Sequence, residues 1–266
     1  MSDLYRFTIL GCGSSGGVPR LGNVWGACDP NNPKNTRTRC SMLVERIAAT
    51  GTTRVLIDTS PDMRQQLLRT GISTLDGVIY THQHADHVHG LDDLRQITFN
   101  RRARLPVWAN GDTANSLITR FGYAFIQPEH SAYPAILELH ALEGNTIIPG
   151  DGGSILFQSI RVKHGNIDAL GFRIGGLVYL PDVEEIYAES WAYLENLDWW
   201  VLDALRYQPH PTHAHLERSL EWIARAQPKQ AALTNMHIDL DYATLDRETP
   251  PHVHPAYDGM VIELPL

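Results

Sequence analysis

Thr81-His82-Gln83-His84-Ala85-Asp86-His87-Val88-His89-Gly90 places four histidines and a carboxylate within ten residues. The stretch comes after the apolar run Val78-Ile79-Tyr80, which is short, β-branched and aromatic, and is preceded by Asp76-Gly77. Such a run reads as a buried strand. His82 and His84 are two positions apart, so in extended backbone they project to the same side. Asp86 and His87 fall where the chain turns off the strand, ahead of a helical pattern that starts near Leu91. Two ligand pairs leaving one strand end in different directions suit two metal ions held side by side. A His-rich surface loop is the plainer alternative, but it does not account for the interleaved carboxylate at a strand end. His89, beside Gly90, is read as lying outside the ligand set.

The pattern His82-x-His84-x-Asp86-His87 resembles the signature of the metallo-β-lactamase superfamily. The resemblance implies an α/β fold, a four-layer αββα sandwich with the site at one edge of its two sheets. It also implies three further ligands downstream: a His, an acid at a strand end, and a His near the C-terminus.

Bulk properties bound the partners. The chain has 266 residues and a formal net charge of −8. That balance disfavours a dedicated nucleic-acid or anionic-membrane surface, while leaving room for an anion held locally by metal. No window reaches the roughly 18 apolar residues of a spanning helix. The N-terminal stretch carries Asp3 and Arg6 in a short apolar strand, unlike a signal peptide. Cys12, Cys28 and Cys40 are odd in number and widely spaced, which suits a reducing cytoplasm. No internal repeat, low-complexity run or linker interrupts the alternation of elements, so residues 1–266 read as one domain.

Arg6 to Leu10 reads as a strand running into Gly11-Cys12-Gly13-Ser14-Ser15-Gly16-Gly17-Val18-Pro19. Gly11-x-Gly13-x-x-Gly16 matches the dinucleotide fingerprint, but that motif must open a helix. Here Gly17, Pro19 and Gly22 forbid one. The Gly-Val-Pro loop instead resembles one branch of the superfamily. That branch contains the phosphoribosyl cyclic phosphate phosphodiesterase of phosphonate breakdown and the pyrroloquinoline quinone biosynthesis protein B. The phosphodiesterase branch often has clustered cysteines in residues 22–39 for a structural zinc. Only Cys28 stands there, so no such zinc is expected. Arg37 and Arg39 precede the strand Cys40 to Ile47 and are candidates for gripping an anion, or else ordinary strand-flanking charges.

Thr53 to Ile57 is a strand ending in Asp58-Thr59-Ser60-Pro61, and Asp62 to Gly71 has a helical pattern. By the resemblance, Asp58 supports the His loop by hydrogen bonding rather than by binding metal. Ser154 to Val162 is a strand leading to Lys163-His164-Gly165. Phe172-Arg173-Ile174 turns through Gly175-Gly176 into Leu177-Val178-Tyr179-Leu180, a hairpin, which stops at Pro181-Asp182. Asp182 could equally cap a helix over Val183 to Asn196. Trp199 to Leu205 reads as a buried strand, and Leu216 to Ala226 as an amphipathic helix. Between them lie His210, His213 and His215. Pro211-Thr212-His213 matches the branch's catalytic His, which makes His213 the candidate for catalysis and substrate contact. Gln230 to Leu233 is the last inner strand, ending at Thr234-Asn235-Met236-His237. Relatives often read Thr-His here, so His237 takes the last ligand position after a small shift, with Asn235 as the minority reading. His252 and His254 sit among prolines and read as solvated.

The resemblance therefore implies His82, His84 and His164 for one ion, Asp86, His87 and His237 for the other, and Asp182 bridging. Imidazole and carboxylate without thiolate suit two divalent ions per chain, manganese or zinc, with iron compatible. Asp86 and His213 would be catalytic, with Arg39 and His213 touching substrate. The expected activity is hydrolysis of a small nucleotide or sugar phosphodiester, cyclic forms included. Alternatives are a tRNA 3′-end endonuclease, a thioester or lactam hydrolase, and a non-hydrolytic metal-binding protein. A homodimer is compatible with the sequence.

Overall fold

The computed structural model describes residues 3–266. Its backbone falls into two compact units. The first comprises the N-terminal stretch to Leu10, Ser41–Leu156 and Val261–Leu266; the second comprises Gly11–Cys40 and Phe157–Met260.

The first unit is built on strands β1 (Leu4–Gly11), β2 (Ser41–Ala48), β3 (Gly51–Ile57), β4 (Gly77–Ile79), β5 (Leu105–Ala109) and β6 (Leu137–Ala141). β7 (Asn145–Ile148) comes next in the chain. The sheet runs in the order β1-β2-β3-β4-β5-β6, with the C-terminal strand Met260–Pro265 on the outer side of β1. β2 and β3 form an antiparallel hairpin, with Ala48 opposite Gly51 and Met42 opposite Ile57. From β3 to β6 every pairing is parallel. Parallel neighbours need crossovers, and helices supply them: α1 (Met63–Thr70), α2 (Ala85–Val88) with α3 (Leu94–Arg101), and α4 (Gly111–Phe125). Leu56, Val78 and Val107 of adjacent strands pack with Leu67, Leu94 and Leu117 of these helices into one buried cluster. Burying a Leu or Val side chain contributes roughly 1.5–3 kcal/mol, so this cluster holds the strand ends in place. Gly71 ends α1 in the left-handed conformation, as its sequence position suggests.

The second unit carries β8 (Ile155–His164), β9 (Ile167–Ile174), β10 (Leu177–Leu180), β11 (Glu185–Ile186), β12 (Trp199–Asp203), β13 (Gln230–Thr234) and β14 (Val253–Pro255). The order across its sheet is β11-β8-β9-β10-β12-β13-β14. β8, β9 and β10 are successive antiparallel hairpins, and the expected turn at Gly175-Gly176 joins Ile174 to its partner Leu177. From β10 onward pairing is again parallel, with α5 (Leu216–Ala226) and α6 (Tyr242–Glu248) as crossovers.

Three expectations from sequence do not hold. The helix expected over Val183 to Asn196 is the short strand β11 followed by a 3-10 helix, Ala188–Leu194. Lys163 and Val162 of β8 capture Glu185 and Ile186 in a ladder, which a helix there would leave unpaired. Asp182 consequently caps no helix. Leu137 to Ile147, whose alternation reads as one strand, is instead two strands, β6 and β7. His254, expected to be solvated, is only partly so: its side chain is 37% exposed, and it lies in β14, where its ring bonds Gln230 and faces Trp199.

Candidate metal centre

In the first unit, β3 and β4 end side by side, and the acid at the end of β3 organises the turn after β4. Asp58 is fully buried. One carboxylate oxygen accepts from the Thr81 backbone N–H at 2.8 Å; the other takes the Thr81 hydroxyl at 2.8 Å and lies 2.7 Å from His87 Nδ1. Burial raises Asp58 above the usual carboxylate range, against the pull of His87 and the Thr81 donors. Thr81 Oγ1 also lies 2.9 Å from His82 Nδ1. Each Nδ1 is thus engaged from behind, which leaves Nε2 of His82 and His87 as the ligating atom. A carboxylate behind a histidine is the usual support for a metal-ligating imidazole. The rings converge: His82 lies 4.6 Å from His84 and 4.3 Å from His87, centroid to centroid. Asp86, on α2, holds a carboxylate oxygen 3.7 Å from His87 Nε2 and keeps a fifth of its side chain exposed. His89 faces away and meets Phe121 edge-on at 5.6 Å. Gly90 is needed by close approach, since a Cβ there would run into the Ser60 carbonyl oxygen.

In the second unit the donors come from separate strand ends. His164 closes β8 and is nearly fully buried, its Nδ1 donating to the Thr212 carbonyl at 2.8 Å. That bond fixes the tautomer and leaves Nε2 for a metal. Asp182 comes directly after β10, with its Oδ1 3.9 Å from His164 Nε2 and 3.5 Å from His213 Nδ1. Ligand atoms of His164, Asp182 and His213 all lie within 4.8 Å of one another. His213 Nδ1 is 2.9 Å from Asp203 Oδ2, and Asp203 also accepts from the Val183 N–H. Burial pushes Asp203 up to about 6, a rise that the neighbouring His213 opposes. His164 and Asp182 fit a divalent ion, an imidazole oriented by a second partner beside a buried carboxylate oxygen, whereas His213 Nδ1 is engaged by Asp203.

The last ligand position is less simple. His237 is not brought into either group. Its Nε2 meets the Arg20 guanidinium and its Nδ1 lies 3.1 Å from Asp239. Burial, together with the fields of Arg20 and Arg206, lowers its pKa. Asn235 instead lies just past β13 in the left-handed conformation that Asn tolerates. Its amide donates to Asp182 and reaches His213 Nδ1, both at 3.2 Å.

Of the two arginines singled out from sequence, Arg37 is buried and spends its donors on the Leu240 and His237 carbonyls and on Asn35. It staples the loop and does not face a ligand. Arg39 lies against the Gly-rich loop, bridging Gly13 and reaching Gly17. His215 precedes α5 without capping it. Asp203 escapes the sequence reading. Its signal is an acid closing an apolar strand, the same signal that marks Asp58 and Asp182.

The chain matches the Beta-lactamase superfamily domain over residues 53–238. A Porphyromonas gingivalis protein described as an octanoyltransferase is 35% identical over 96% of this chain. The chain spans only 51% of that protein, so the named activity need not reside in the matched part. A Bradyrhizobium ribonuclease Z is 28% identical over 53% of this chain and 45% of its own length. Among solved structures, one described as a new diphosphatase from the PhnP family is 35% identical, covering 99% of this chain and 98% of that one, with a TM-score of 0.86. The α/β fold expected from the His motif agrees with the mixed sheets of the two units and with the match to this solved structure.

Proposed function

Because the chain belongs to the metallo-β-lactamase superfamily, in its PhnP-like branch, we propose that it is a dinuclear-metal hydrolase of small phosphodiester or diphosphate-linked substrates. The observation that carries this reading is His213. Its Nδ1 is held by the buried Asp203 at 2.9 Å, beside Asp182 and His164. A carboxylate on Nδ1 favours the doubly protonated ring, whose Nε2 then carries a proton toward substrate, as a general acid must.

The ligand set proposed is His82, His84 and His164 for one ion, with Asp86, His87 and the residue after Thr234 for the other, and Asp182 common to both. His237 is turned to Arg20 and Asp239, which leaves Asn235 for the last position once its amide presents the oxygen in place of the NH2 that now faces Asp182. Bound divalent ions, zinc or manganese, would supply Lewis acidity and neutralise charge on the phosphoryl oxygens. The remaining chemistry belongs to side chains. Asp86, open enough to meet water, would orient the attacking molecule. His213 would donate a hydrogen bond to the phosphoryl oxygens as charge builds, then release its proton to the leaving oxygen. Asp203 would hold the ring in place and stabilise its charged form until that proton leaves. The ribonuclease Z match raises an RNA substrate, but a net charge of −8 argues against long polyanions.

The test is turnover of bis(p-nitrophenyl) phosphate beside a thioester and a lactam, by protein stripped of metal and reloaded with Mn²⁺ or Zn²⁺. Diester cleavage that returns with metal, and that falls about 10²–10⁴-fold in His213→Ala with metal content unchanged, is the expected result. Preference for the thioester or lactam would overturn the reading.

A further inference from the structure

Three residues outside the metal centre converge on His237 and His213. Arg20, in the loop after Gly-Val-Pro, sets its guanidinium on the His237 imidazole Nε2. Arg206 follows Leu205, whose carbonyl accepts from the His237 N–H at 2.9 Å. Both guanidiniums act electrostatically on the His237 ring. His210 completes a row of imidazoles, 5.2 Å from His213, which is itself 4.6 Å from His164.

The two guanidiniums here are not paired with acids. Among the described residues, no carboxylate lies within 4.0 Å of Arg20 or Arg206. Arg161 and Arg218, exposed in the same unit, are paired: Arg161 with Asp168 and Glu189, Arg218 with Glu221. Arg206 is instead braced by the carbonyls of Gln208 at 3.0 Å and Pro209 at 2.7 Å, which aim the guanidinium without neutralising it. Asp239 lies 3.1 Å from His237 Nδ1, and Glu184 and Glu185 line the pocket that holds His210 and His213, Glu184 being paired with Lys163. His210 is also set as a donor. Its Nδ1 accepts from the Thr212 N–H at 3.3 Å and faces the Thr212 hydroxyl at 3.2 Å, so in the neutral ring the proton sits on Nε2. Two aimed guanidiniums and an N–H donor, in a chain of net charge −8, match the charge and geometry of a phosphate.

We propose that Arg20, Arg206 and His210 form an anion subsite beside His213 that holds the second, non-reacting phosphate of a diphosphate-linked substrate. The inference rests on the hydrolase reading for which phosphate reacts, but not for whether the subsite binds. A simple cyclic nucleotide has one phosphate, which is engaged at the reacting centre and leaves this subsite without a ligand. A diphosphate fills both positions, and the subsite then sets substrate choice.

Calorimetry can read this without turnover, with α,β-methylene-ADP and AMP as probes of two phosphates and one. Metal-loaded wild type should bind the diphosphate analogue at least about tenfold more tightly than AMP. In Arg20→Gln and Arg206→Gln that preference should shrink to about twofold, with unchanged melting temperature and metal content. Equal binding of the two probes by wild type, or a preference that survives in both variants, would overturn the subsite. Failure of the hydrolase reading looks different: a diphosphate preference that needs the two arginines, with no cleavage of bis(p-nitrophenyl) phosphate.

Discussion

The two units supply ligand-type side chains by opposite routes. In the first, His82, His84, Asp86 and His87 come from a single turn after β4, and one buried acid, Asp58, braces the turn from behind. In the second, His164, Asp182 and His213 come from the ends of β8 and β10 and from the loop after β12, and the braces differ: a backbone carbonyl for His164, a carboxylate for His213. A contiguous set depends on local geometry and a single support. A dispersed set depends on the register of a whole sheet. The first should therefore fail at one residue, and the second should tolerate loss of any one brace.

The largest effect tests whether both sets matter equally. His84→Ala and His164→Ala should each abolish metal-dependent turnover, with bound metal falling by elemental analysis. A variant that keeps full activity would remove its set from the centre. Next come the two carboxylate braces. Asp58→Asn should weaken metal affinity about 10–100-fold, as loss of a supporting partner usually does. Asp203→Asn should leave affinity near wild type and lower kcat, because Asp203 holds His213 rather than a ligand proposed from the resemblance. Equal metal loss in both would erase the contrast.

Backbone crowding separates the two units as well. Gly90→Ala forces a methyl into the Ser60 carbonyl, a backbone atom that cannot swing aside. Overpacking of this kind costs about 1–3 kcal/mol. Gly165, just after His164, has φ near +64°, and its added Cβ would meet Thr212 Cγ2 at 2.8 Å, a side chain that can turn. Gly165→Ala should cost about 1–2 kcal/mol, mainly from the left-handed backbone. Thermal melts should rank Gly90→Ala as the more damaging.

The smallest effect concerns the frame of the second unit. Asp241 caps α6 by accepting from Thr244 N–H and also takes the Asn35 amide. Burial works against its ionised form, but these donors and the Asp29 N–H outweigh it and hold Asp241 down to about 2. With the folded value below the unfolded one, the cap stabilises fully above about pH 4 and fades as pH falls toward 2. Asp241→Ala should cost about 1 kcal/mol at neutral pH, and acid titration of its melting temperature should be flatter than wild type between those limits.

Sequence carries the first unit's set almost entirely. His82 and His84 are two apart, as extended backbone needs to set them on one side, although β4 itself ends at Ile79, and Asp58 stands out as a polar residue closing an apolar run. The second set is legible only as a list of strand-end acids and histidines, because which of them meet depends on parallel register across β10, β12 and β13. That is why the resemblance, followed by residue type after a small shift, favours His237 over Asn235. The left-handed turn at Asn235 aims that amide at Asp182, and no spacing rule anticipates it. α6 and β14 escape notice for a related reason: they are short, flanked by prolines, and fixed by tertiary partners such as Asn35 and the β13 ladder. Asp203 is visible as a residue but silent as a role until His213 lies against it.

Asp58 has a consequence for the order of assembly. Because it already ties Thr81 and His87 together through protein atoms alone, the His turn does not wait for an ion to take shape. Loading should then be a capture event, its rate rising linearly with metal concentration and showing no slow conformational phase, unlike small zinc domains whose folding and binding are one step. The protein would emerge from synthesis with its jaws already set, and whichever divalent ion is most abundant at that moment would have the first claim on them.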